Sequence, residues 1–204
     1  MMDLDRALAD IRAVRNQIAR GTEFRGYGPT AFAATGAIAV AAAWLQPLLI
    51  ARPDDEATGY AVFWAVVAGA CIAIIGIDVV TRSRRMHSGF GDEMIQAAIE
   101  QLLPSLVVGA LLTFVVLRFA PQAAWMLPGL WQIVLSLGIF ASCRLLPAPM
   151  MGIGIWYLVT GLACLALAGG EQAFSPWAMG LPFGVGQLLA AALIHYLRTD
   201  DASE

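Results

Sequence analysis

Glu100 carries the strongest chemical signal in the chain. It sits in IEQLLPS (99–105), where an apolar run, LLPSLVVGALLTFVVL, begins. Gln96, Glu100 and Pro104 are spaced by four, so a helix places them on one face. Pro104 lacks an N–H, which leaves the carbonyl of Glu100 without its helical donor. Side chain and carbonyl of one residue then form a concentrated acceptor site, with Gln96 and Gln101 as donors. Asp78, in GIDVV, belongs at a similar depth on the preceding apolar run, with Arg82 one turn further on. His195 and Arg144 approach the same level from later runs. A carboxylate within a membrane points to function. Near the rim of the hydrocarbon, however, a structural ion pair with Arg82, Arg84 or Arg85 is the preferred reading over ion coupling.

Gln132 and Gln187 form a second polar group, both near the middle of apolar runs. Pro182, Gly184 and Gly186 weaken the helix just before Gln187. Interrupted spans in two halves of a chain are a pattern of inverted-repeat transporters. Leu103-Pro104 and Leu181-Pro182 align in this way, but spans one and four show no match at that offset. Gly and Pro are also common in membrane helices for purely structural reasons.

Enzyme motifs are sparse. HExxH and GxSxG are absent, and the Gly-rich GYGPTA and GVGQLL follow no strand. GFGD (89–92) has the form found in intramembrane aspartyl proteases, which need a second carboxylate to share a proton. Asp92 lies in a polar loop, Asp78 is the only partner within an apolar run, and the companion Pro-Ala-Leu motif is missing. The stretch reads better as a linker and helix N-cap. Cys71, Cys143 and Cys164 form no CxxC and have no His beside them, so neither a zinc nor a redox site is expected. His87 and His195, the only histidines, make a poor haem pair because His87 falls in a charged loop. No metal or cofactor is expected, and no enzymatic activity.

The elements that must position these residues follow from composition. Of 204 residues, 59% are hydrophobic and 13% charged, about half the charge of a soluble domain. Mean hydropathy is +0.72. The fold expected is all-α, a six-transmembrane-helix bundle behind a cytoplasmic amphipathic helix. The spans fall at about 30–50, 58–80, 95–118, 124–143, 150–169 and 176–197, each near the length a bilayer requires. All the basic residues are Arg. Only Arg52 and Arg118 lie on one side of the spans, and the rest lie on the other, so both termini are expected in the cytoplasm. A net charge of −3 and scattered arginines give no nucleic-acid surface.

Residues 1–29 form the leader and a Gly/Pro hinge. Leu4, Ala7, Ile11, Val14 and Ile18 make a helical stripe. The stripe fits an interfacial helix on the inner leaflet, and residues 3–20 offer the alternative of docking to a second copy or a cytoplasmic protein. Residues 198–204 are a short cytoplasmic tail. In the bundle, Ala61, Ala65, Gly69 and Ala73 form a ladder of small side chains, and Ala33, Ala37 and Ala41 repeat at the same step. Small faces allow close approach in lipid, so the first two spans are expected to form a tight hairpin there.

The leader and hinge, MLPGLWQIVLSLGIFASCRLLP and SPWAMGLPFG resemble a group of small bacterial multi-pass membrane proteins of unassigned function. The resemblance implies six spans in a bacterial inner membrane. Such proteins are in some cases encoded beside small winged-helix regulators, which implies a regulatory role. It carries no catalytic motif. The reading expected is a non-enzymatic membrane regulator, sensor or assembly partner acting through the leader and the RSRRMH loop. The alternative is a small transporter or channel whose polar path includes Glu100 and Gln187.

Overall fold

The computed structural model describes residues 28–50, 57–85, 91–142, 148–167, 172 and 174–203. The leader stripe, residues 51–56, 86–90, 143–147 and 168–171, and with them His87 and Arg144, lie outside the described residues. Nearly all of those described are helical: α1 (Pro29–Leu49), α2 (Ala57–Arg85), α3 (Gly91–Phe119), α4 (Leu127–Ser142), α5 (Met151–Leu167) and α6 (Pro176–Ser203). Short 3-10 turns at Pro121–Met126 and Ala148–Met150 lead into α4 and α5.

Pro29–Leu49, Ala57–Thr81, Pro121–Ser142 and Pro176–Leu197 are long and apolar enough to cross a membrane. Leu103–Phe119 and Met151–Leu167 are shorter apolar helices. The distribution of polarity suits lipid. Leu48, Val66, Ile77 and Phe119 are 82%, 66%, 65% and 69% exposed, whereas Thr35, Gln46, Gln132 and Ser136 are at most 1% exposed. Water would reverse that preference, because many large apolar side chains face out while these polar ones face in.

α1 begins at an extended Gly28 followed by Pro29, whose missing N–H costs nothing at a first helical position. It then runs antiparallel to both α2 and α6. Its closest partner is α6. A Cβ at Gly36 would lie 3.1 Å from the Gly184 carbonyl oxygen, and one at Gly180 would strike Ala43. A second close pair joins α4 and α5, where a Cβ at Gly129 or Gly161 would meet the other's carbonyl oxygen at 2.8 or 2.9 Å.

This corrects the expected hairpin. α1 and α2 do touch, and Ala61 is buried beside Ala42 and Ala43. Ala65, Gly69 and Ala73, however, are exposed, and a Cβ at Gly69 would meet nothing within 4 Å. Ala37 and Ala41 are exposed as well. The small face that α1 uses is Gly36, Ala39 and Ala43, which fits the Gly180–Gly184 step of α6. Two small-residue faces competed for α1, and the one with glycines at the contact allowed the closer approach.

Two clusters fill the interior. One gathers Tyr60, Trp64, Ala124, Leu127, Phe174 and Met179 near the α1–α2 turn. Tyr60 stacks on Trp131 with centroids 6.5 Å apart and meets Phe174 edge-on at 4.9 Å. The other gathers Met150, Ile153, Tyr157 and Ala190 toward the opposite end.

Candidate functional site

The polar interior is organised by proline. Pro182 lies inside α6, so the carbonyl of Ala178, four residues earlier, has no helical N–H to accept. Gln132 of α4 supplies the donor. Its Nε2 lies 3.0 Å from that oxygen and 3.2 Å from the Pro128 carbonyl. Both amide protons are thereby used, and α4 is tied to α6 at the break. Trp156 of α5 adds a third strut, donating from Nε1 to the Pro182 carbonyl at 2.9 Å.

One level further along α6, a chain of contacts links four helices. Thr35 of α1 has one hydroxyl proton and two acceptors in range, the Phe32 carbonyl at 2.9 Å and Gln187 Oε1 at 3.2 Å. Gln187 Nε2 reaches the Tyr157 hydroxyl at 3.5 Å, a long contact. Cys71 Sγ of α2 approaches the Thr35 carbonyl at 3.9 Å. Gly186 leaves the space that the Tyr157 ring occupies, since a Cβ there would sit 2.6 Å from the ring and hydroxyl.

Near the other end, Gln46 bridges three segments. Its Nε2 donates to the Phe174 carbonyl at 3.0 Å and its Oε1 accepts from Trp64 Nε1 at 2.8 Å. Thr113 and Trp131 join α3 to α4: the indole donates to Thr113 Oγ1 at 2.8 Å, and that hydroxyl donates to the Gly109 carbonyl.

Asp78 takes a role that its sequence context did not reveal. Its Oδ2 accepts the backbone N–H of Gly28 at 2.9 Å. Gly28 opens α1 with no side-chain cap of its own. A carboxylate from the neighbouring helix therefore stands at the positive end of α1, where a negative charge is favoured by about 0.3–1 kcal/mol.

Glu100 and Pro104 are exposed on α3, and His195 is exposed on α6. Arg82 and Gln96 belong to α2 and α3, but their side chains, like that of Asp92 in GFGD, lie outside those described. Pro182 is buried while Pro104 is exposed, so the two aligned prolines are not equivalently placed. Gln132 and Gln187 are interior, on different helix contacts. Among the described residues, no three of His, Cys, Asp and Glu gather where they could hold a metal ion.

The residues missed from sequence are Gln46, Thr35, Tyr157 and Trp64. A signal existed for Gln46, a lone amide beside Pro47 in an apolar run. Tyr157 and Thr35 carry none, because isolated hydroxyls are ordinary in membrane helices. No protein-family model, curated protein or solved structure matches the chain.

Proposed function

We propose that this chain is a six-span integral protein of a bacterial inner membrane, with both termini cytoplasmic, that acts without enzymatic chemistry as a regulator or assembly partner. It engages a cytoplasmic protein or a second copy through residues 3–20 and the RSRRMH loop. One observation carries the reading: the interior amides tie helices together. Gln46 and Gln132 each bond to two groups on neighbouring segments or their own helix, and Gln187 links Thr35 to Tyr157. Such bonds are worth roughly 0.6 kcal/mol each in lipid, up to about 1.7. They make the bundle a rigid platform.

The transporter alternative needs Glu100 and Gln187 on one path. Glu100 is exposed on α3, whereas Gln187 is turned toward Thr35 and Tyr157. The platform reading is tested by deleting residues 1–20 and comparing oligomeric state and co-purifying proteins with the full chain. Loss of a partner or of self-association is expected. If both are unchanged, the leader is an anchor only and the proposal fails. In parallel, vesicles containing the full chain, Glu100→Gln or Gln187→Ala should show no difference in solute or proton flux. Flux that Glu100→Gln abolishes would replace this reading with the transporter.

A further inference from the structure

The interior of α4 presents two polar atoms that the bundle itself does not satisfy. Gln132 and Ser136 are each 0% exposed, and Gln132 Oε1 and Ser136 Oγ have no hydrogen-bond partner. Four residues apart, they lie on the same face of one helix, one turn from each other. Native proteins rarely leave buried side-chain oxygens unpaired, and an ordered water is the usual reason when they do.

The orientation of the Gln132 amide is fixed. Its Nε2 faces two carbonyl oxygens, those of Ala178 and Pro128. Turning the amide over would set Oε1 against both. Oε1 therefore points away from them as a pure acceptor, while the Ser136 hydroxyl has a proton to give. Register puts this pair in the middle of the α4–α5 contact. Gly129 meets Gly161 on one side of it and Phe140 meets Gly154 on the other.

We propose that Gln132 Oε1 and Ser136 Oγ form a binding site for one internal water molecule. Ser136 donates to the water oxygen, and the water donates to Gln132 Oε1, which closes the hydrogen-bond account of both side chains. The ligand is neutral and needs a donor and an acceptor at once. A monovalent cation is a poorer fit, since it would turn the hydroxyl proton away and find only two neutral oxygens, where hard cations gather about six. This site does not depend on the assembly reading.

The test is X-ray radiolytic hydroxyl-radical labelling of the full chain in detergent, read by mass spectrometry. Radicals form from bound water, so residues 133–137 should be labelled well above Leu127, an aliphatic side chain of the same helix that is 0% exposed and has no polar atom to hold water. Ser136→Val fills the site with methyl groups and should lower that labelling several-fold, with Ser136→Ala as the milder variant if Val impairs folding. Exchange of sodium for choline at equal ionic strength should leave labelling and Tm unchanged. The proposal is overturned if wild-type labelling at 133–137 is no higher than at Leu127, or if it persists in both variants. A Tm that rises with sodium would instead assign the site to a cation.

Discussion

Gln132 Nε2 sits 3.0 Å from the Ala178 carbonyl oxygen, the one backbone acceptor that Pro182 deprives of its helical donor. A side chain on α4 thus repairs a break in α6, and the repair is also the link between the two helices. Glycine and proline weaken a helix only where nothing else meets the freed group.

This relationship makes a coupled pair. Gln132→Leu should destabilise the protein by about 1–3 kcal/mol, the range for leaving a buried acceptor unpaired. Pro182→Ala restores an N–H to the Ala178 carbonyl, so in that background the cost of Gln132→Leu should fall by roughly 1 kcal/mol. Unfolding free energies of the four proteins in a double-mutant cycle measure the difference. Additive effects would mean that the amide and the proline act independently.

The glycines should separate cleanly by position. Gly180→Val and Gly184→Val press on Ala43 and Val40 and should lower Tm by several degrees, consistent with an overpacking cost of about 1–3 kcal/mol. Gly69→Val, where an added Cβ meets nothing within 4 Å, should leave Tm nearly unchanged. The order of the three melting temperatures is the readout, and a large loss at Gly69 would restore the α1–α2 ladder as an interface.

Trp64→Phe removes the donor from Gln46 Oε1 while keeping an aromatic ring in the cluster. A loss of about 1 kcal/mol or more is expected, because a buried amide oxygen is left without a donor. Gln46→Leu should cost more, since the Phe174 carbonyl then loses its partner too. Chemical denaturation of both variants checks the order.

Asp78→Asn keeps an acceptor for the Gly28 N–H and removes the charge at the start of α1. Its cost should be about 0.3–1 kcal/mol, the helix-end contribution. Asp78→Ala also loses the hydrogen bond and should make the chain just before Pro29 easier to cleave by protease. Equal cleavage rates in the two variants would show that the hydrogen bond does not hold this junction.

The apolar helices were legible from length and hydropathy alone, and four of them are long and apolar enough to cross a membrane. The prolines were legible too, but their consequence was followed only at Pro104. The same rule, applied four residues before Pro182, names Ala178 as an acceptor in need of a donor. What sequence withheld is the partner, since nothing along the chain ties Gln132 to residue 178. The choice of small-residue face was equally hidden. Ala33/Ala37/Ala41 and Gly36/Ala39/Ala43 lie on the same helix at almost the same spacing. Only the shape of α6, which is reached 152 residues after Thr35 at Gln187, decides between them. Asp78 looked like a candidate for ion chemistry because a helix end has no sequence signature on the neighbouring helix that caps it.

The pairing of α1 with α6 has a consequence for synthesis. Chains emerge at about 5–20 residues per second, so α1 waits on the order of ten seconds or more in the membrane before its glycine face finds α6. Throughout that interval the face is covered by lipid or by whatever protein stands near the site of insertion. A chain that stops early, or an α6 with a bulky residue at 180 or 184, leaves α1 in that unfinished condition. Quality control can therefore read the arrival of α6 from the state of α1.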